Sequence, residues 1–157
     1  MQDYPGRLIA ITHRKTQIYW NRELKPYGVS SSEIPVLLQL YREEGITQDE
    51  IAFRQALDKS AVTRILQSLI KKGFIEKQKD ENDKRCNRIY LTKTGQALQT
   101  PIQAAREKLN ALLLKQMDAK DRKEFMRLLT IAADSIQNEK TETEEPHERE
   151  KSQKPVR

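Results

Sequence analysis

Residues 59–71 carry the side chains best suited to chemistry with a polyanion. Lys59, Ser60, Thr63, Arg64, Gln67 and Lys71 recur at steps that gather them on one side of a helix. An arginine there can grip guanine with two hydrogen bonds, and a glutamine can pair likewise with adenine. The two hydroxyls can serve either base, while the flanking lysines, as flexible point charges, suit phosphates. On the opposite side Val62, Ile65, Leu66, Leu69 and Ile70 fall at i, i+3, i+4, i+7 and i+8, a 3.6-residue stripe that faces a core. A polar face of this composition also covers many ordinary surface helices, so its surroundings decide its meaning.

Directly after it come two stretches of alternating character, 74–79 and 87–92, joined by the polar loop Asp80 to Cys86. That pattern reads as a β-hairpin with a charged tip. Asp83-Lys84-Arg85 stands at the tip, where Asp83 can orient the Arg85 guanidinium and an oriented arginine can enter a narrow, electronegative minor groove. The charge distribution points the same way. Residues 59–93 hold ten basic and four acidic side chains, a surplus equal to the net charge of +6 for the whole chain. A concentrated basic patch is the footprint of a polyanion binder, with a solvated lysine-rich surface as the plainer alternative.

These groups need elements to hold them. A first helix is expected over roughly residues 6–26, with Leu8, Ile9, Ile11, Ile18, Tyr19, Trp20 and Leu24 as its apolar residues and Pro26 and Gly28 ending it. Ser31 or Ser32 can cap a second helix that runs through Val36, Leu37, Leu38, Leu40 and Tyr41 and stops near Gly45. Thr47-Gln48-Asp49-Glu50 is a capping box opening a short helix with Ile51, Ala52, Ala56 and Leu57 facing inward. Asp58 then caps the recognition helix at once, and Gly73 suits its left-handed C-terminal cap. Helix, helix, short helix, stripe-bearing helix and charged hairpin is the order of a winged helix-turn-helix, in which one helix braces while the next enters the major groove. Farther on, Leu98, Ile102, Ala105, Leu109, Leu112 and Gln116 step as a helix seam does, with Pro101 as an early interruption. A last helix restarts at Asp118 or Asp121 with Phe125, Leu128, Leu129, Ala132 and Ile136 on its apolar side.

Composition narrows the class. With 157 residues, 36% hydrophobic and only 6% aromatic, the core is thin and a partner subunit is expected to complete it. No 18-residue apolar run and no basic-then-apolar leader occur, so no membrane association and a cytoplasmic location are expected. Cys86 is the only cysteine, and His13 and His147 lie far apart, so neither a disulfide nor a metal site is expected. No phosphate-binding glycine loop or activated nucleophile appears either, so the expectation is no cofactor and no catalytic residue. Two other readings stand beside DNA binding: an enzyme, and a winged-helix module for protein contacts, which exposed hydrophobes on the recognition face would favour. Cys86, flanked by Arg85 and Arg88, would ionise easily and suit a redox switch; the plainer reading is an incidental thiol.

Asp58-Lys59-Ser60-Ala61-Val62-Thr63-Arg64, Leu69 to Gly73-Phe74-Ile75, Asp83-Lys84-Arg85, and Ile89-Tyr90-Leu91-Thr92 with Gly95 resemble the MarR (multiple antibiotic resistance) regulators. The likeness spans roughly residues 6–137, and the wing signature, Asp-x-Arg followed by Leu-Thr-x-x-Gly, is its most specific part. The resemblance implies a mainly α fold with a small β-hairpin: a winged helix-turn-helix plus dimerisation helices from both chain ends. The corresponding divisions are 1–28 (N-terminal dimerisation helix), 29–93 (winged helix-turn-helix DNA-binding domain), 94–138 (C-terminal dimerisation helices) and 139–157 (disordered charged tail). It also implies a homodimer on pseudo-palindromic double-stranded DNA, acting as a repressor whose binding a small-molecule effector or an oxidant relieves. By that likeness Ser60, Thr63, Arg64 and Gln67 contact the major groove, and Asp83 with Arg85 forms the wing clamp. Effector-lining candidates are His13, Tyr19, Trp20 and Tyr41, each equally at home as an ordinary core or interface residue.

Overall fold

Helix α1 (Pro5–Glu23) opens the chain, in a computed structural model that describes residues 4–143. A 3-10 turn (Lys25–Tyr27) with Gly28 in the left-handed region follows, so the expected first helix stops three residues short of Pro26. Then come α2 (Ile34–Leu40), β1 (Ile46–Thr47), α3 (Gln48–Arg54), α4 (Lys59–Lys71), β2 (Ile75–Lys79), β3 (Asn87–Leu91), α5 (Lys93–Ala97) and α6 (Gln99–Leu113). These form one compact unit ending at Leu113, and a second unit beginning at Leu114 contains α7 (Ala119–Thr143).

Local chemistry sets most of the boundaries. The Thr47 hydroxyl accepts the Glu50 amide and the Glu50 carboxylate accepts the Thr47 amide at 2.7 Å, the expected capping box. Asp58 accepts from the amides of Ser60 and Ala61 and so starts α4. No serine caps α2. Glu33 occupies that cap position, and its side chain turns back to accept the Ser30 amide at 2.8 Å. Pro101 does not kink a helix, because α5 ends before Leu98 and Pro101 lies in the first turn of α6, where a missing N–H is harmless.

The sheet has three antiparallel strands in the order β1-β3-β2, with Ile46 opposite Ile89 and Ile75 opposite Leu91. The hairpin was expected; β1 was not, since two residues are too short to show alternation. Leu24, Val36, Leu37, Leu40, Ile46, Ile51, Ile89 and Ile102 fill the core, together with Val62, Leu66 and Leu69 from α4. Ile65 is only half-buried and Ile70 is 38% exposed, so the stripe is narrower than its sequence spacing suggests. Both lie at its edges, about 60–80° around the helix from Val62. Gly95, in α5, is required by contact. A Cβ there would stand 1.9 Å from the Phe74 carbonyl oxygen.

Ala56 departs from expectation too. It is exposed, with φ +49°, because α3 ends at Arg54 and the chain reverses through a left-handed residue before Asp58. An L-residue is disfavoured there by about 1–2 kcal/mol, partly balanced by the larger entropy glycine loses on folding. Ala56→Gly is therefore expected to stabilise the protein by about 0.5–1 kcal/mol. The check is the urea midpoint, which Ala56→Val should lower.

Leu98, between α5 and α6, and Ile102, Ala105 and Leu109 in α6 face their own unit's core, and Leu112 is exposed. The expected seam is thus mostly internal to one chain, locked by the Tyr19 hydroxyl donating to the Ala105 carbonyl at 2.9 Å. In the second unit, Asp118 accepts the Asp121 amide at 2.8 Å and caps α7, whose Phe125, Leu128, Leu129 and Ile136 are exposed. That helix runs to Thr143, five residues beyond the expected limit of 138. Residues 144–157 of the expected tail lie outside the described residues.

Candidate nucleic-acid interface

The structure puts the six polar residues of α4 on the side away from the core, but they are not equivalent. The first turn is tethered. The Lys59 ammonium lies 3.1 Å from an Asp49 carboxylate oxygen, and the Ser60 hydroxyl donates to Asp58 at 2.8 Å. The Thr63 hydroxyl donates to the Lys59 carbonyl and accepts from the Gln48 amide of α3. Arg64, Gln67 and Lys71 are exposed and have no hydrogen bond or ion pair among the described residues. The two hydroxyls are therefore not open donors, and Arg64 and Gln67 remain as the unencumbered groups able to grip a base edge.

What fixes α4 was invisible in the sequence. Glu33 is 1% exposed, yet its carboxylate accepts the Ser68 hydroxyl at 2.7 Å and the Lys72 ammonium at 2.7 and 2.8 Å, besides the Ser30 amide. Burial pushes the Glu33 carboxyl up, and hydrogen bonds from Lys72, Ser30 and Ser68 outweigh it, holding the group below its ordinary value. Partners 35 and 39 residues away leave no local signal. Lys72 is thereby occupied by Glu33, although its side chain remains 33% exposed.

The hairpin carries a second such anchor. Asp80 is 5% exposed; it accepts the Asn82 and Asp83 amides and pairs with Arg88, which also donates to the Gly45 carbonyl at 2.6 Å. The Asp83 amide, the Arg88 guanidinium and the Asn82 amide together hold the Asp80 carboxyl down to about 2. Asp83 does not bond the Arg85 guanidinium as expected: its carboxylate accepts the Arg85 backbone amide at 3.0 Å. It shapes the loop that presents Lys84 and Arg85, both exposed. For Cys86 the surroundings favour the incidental thiol over the redox switch. Its exposed thiol is raised, first by the Asp83 charge and then by desolvation, because Asp83 lies 3.6 Å from the sulfur while Arg88 is engaged with Asp80. A thiol held in its neutral form is a poor redox sensor.

The effector candidates do not converge. His13 is exposed on α1, Tyr19 is bonded to Ala105, and Trp20 packs edge-to-face on Tyr19 at 5.9 Å. Tyr41 donates to the Gly95 carbonyl at 2.9 Å, and burial pushes its phenol up to about 12. Of the four, Tyr41 alone borders a cleft of about 280 Å³ shared with Leu38, Arg42, Gln99, Gln103 and Arg106. Among the described residues no cluster of His, Cys, Asp and Glu could hold a metal, and no helix is long and apolar enough to cross a membrane.

Known proteins share this arrangement. The sequence pattern of the MarR family matches residues 29–87. The multiple antibiotic resistance protein MarR of Escherichia coli is 32% identical over 93 residues, 59% of this chain and 65% of that protein, so the match spans just under two thirds of that relative. A MarR transcriptional regulator from Methanosarcina mazei is similar in structure, with a TM-score of 0.78 and 32% identity, covering 83% of this chain and 94% of that one. A mutant MarR from E. coli complexed with operator DNA gives a TM-score of 0.74 at 29% identity, over 81% of this chain and 91% of that one.

Proposed function

The chain belongs to the MarR family, and from that premise we propose that it is a sequence-specific, DNA-binding transcriptional repressor acting as a homodimer on a pseudo-palindromic operator. The carrying observation is the open triad Arg64, Gln67 and Lys71 on a helix whose flank, at Ser68, and C-terminal cap, at Lys72, are tied by Glu33 to the start of α2. Rigid backing with unencumbered polar groups in front is what a recognition helix in a major groove requires. Lys84 and Arg85, on a loop braced by Asp80 and Asp83, supply the wing. Residues 29–93 form the reading domain, and residues 1–28 and 94–138 join two copies so that half-sites about 34 Å apart are met together. Exposed apolar residues on α1 (Leu8, Ile9, Ile18) and α7 (Phe125, Met126, Leu128, Leu129) support that pairing.

On this reading the protein works in the cytoplasm and catalyses no reaction. A small-molecule effector lowers DNA affinity by binding more tightly to a protomer spacing that misfits the operator. The cleft beside Tyr41, with Arg42 and Arg106, suits such a ligand better than the Tyr19 and Trp20 pair.

The test is a comparison of two variants. Arg64→Ala is expected to relax preference at one base pair per half-site and to lose about 1–3 kcal/mol of binding, whereas Lys71→Ala weakens all sequences alike. Binding-site selection with gel-shift affinities separates the two; equal, sequence-independent losses would show that α4 does not read bases.

A further inference from the structure

The geometry points to Gln48, on the bracing helix α3, as a base-reading residue that works as a unit with Thr63. This rests on the DNA-binding reading above. Gln48 is the first residue of α3, and its Nε2 donates to Thr63 Oγ1 at 2.5 Å across the helix-turn-helix. Thr63 sits on the outward side of α4 between Lys59 and Gln67, so this bond brings the Gln48 amide to the recognition face. A second contact keeps it there: Asp49, the next residue, pairs with Lys59 at 3.1 Å.

The hydrogen-bond inventory then fixes what each group can offer. A hydroxyl has one proton, and that of Thr63 goes to the Lys59 carbonyl at 2.9 Å. Thr63 can therefore only accept from Gln48, and one N–H of the Gln48 amide is taken. The Gln48 Oε1 and its second N–H have no partner among the described residues, where no buried side-chain nitrogen or oxygen lacks a hydrogen bond. The oxygen is accordingly open to solvent, and the second N–H lies beside it on the same planar amide. One acceptor and one donor, side by side on a planar amide, match the N6 donor and N7 acceptor of adenine in the major groove. The bond to Thr63 holds that amide in one orientation, which lowers the entropy lost on binding a base. Sequence spacing missed this residue because it lies one helix before the recognition helix.

Binding-site selection from a randomised duplex library tests it, using the full-length protein, Gln48→Ala, Gln48→Glu and Thr63→Val, each with a melting curve. The wild type is expected to prefer adenine at one position per half-site. Gln48→Ala should lose that preference by roughly tenfold while keeping the others, and Gln48→Glu should shift it toward cytosine, whose N4 only donates. Thr63→Val should blunt the same position. Unchanged preferences in both Gln48 variants, with affinity falling evenly over all sequences, would reduce Gln48 to a strut and overturn the inference. A wild type that selects no sequence at all would overturn the DNA-binding reading itself. Because Gln48→Glu conserves size, it keeps the comparison usable should Gln48→Ala melt early.

Discussion

Raising the salt from about 50 to about 200 mM is expected to weaken binding to duplex DNA by on the order of a thousandfold. The reasoning starts from which cations are available rather than from the net charge of +6. Lys59, Lys72 and Arg88 are paired with Asp49, Glu33 and Asp80, so they add little net charge at the surface. Lys71, Lys84 and Arg85 have no such partner among the described residues. Two protomers then neutralise about six phosphates, each releasing a counterion and contributing roughly −0.9 to the log–log slope. A slope near −5 makes the fourfold salt increase worth about three decades. Fluorescence anisotropy on a labelled operator duplex measures it directly. A slope near zero would be incompatible with a basic recognition face and wing.

Glu33→Ala is expected to have the largest effect on stability, about 3 kcal/mol. The substitution strips the partner from the Ser68 hydroxyl, the Ser30 amide and the Lys72 ammonium at once. The lower end of the range for breaking a buried pair applies, since the Lys72 side chain is 33% exposed and can rehydrate. Denaturant unfolding checks the size, and a loss below about 1 kcal/mol would mean the network is not the anchor described here.

The same carboxylates set an acid limit. Glu33 and Asp80 have depressed values in the folded protein, so their contribution is fully present above the ordinary carboxylate range. It is lost as pH falls through the folded values, which for Asp80 means between 3.8 and about 2. Melting curves taken downward from neutral pH should therefore fall most steeply below pH 4, with the Glu33→Ala variant showing a shallower decline.

Much of this protein was legible before its structure. The capping box at Thr47, the cap at Asp58, the Val62-Leu66-Leu69 stripe and the glycine at 73 are each decided by residues no more than four positions from the next. Short-range hydrogen bonding and helical periodicity act on the same scale as the sequence pattern, so the pattern reports them faithfully. The glycine of the wing signature was legible as a motif, but its cause is tertiary: the Phe74 carbonyl, 21 residues back in the chain, leaves no room for a Cβ at 95.

Where two distant segments compete for one group, sequence reading failed. Glu33 displaced the serines from the α2 cap because Ser68 and Lys72, far along the chain, complete its shell. Asp80 took Arg88, leaving Asp83 to shape the loop at Arg85 and to raise the Cys86 thiol instead of the neighbouring arginines lowering it. Thr63, whose proton goes to the Lys59 carbonyl within α4, gave up an acceptor site as well once α3 crossed α4 and Gln48 donated to it. By itself the sequence determined which face of α4 is polar and where α3 and α4 begin; only the tertiary structure decided which polar groups on that face are already satisfied. A side chain's identity states how many hydrogen bonds it can make, whereas packing alone determines how many are left for DNA.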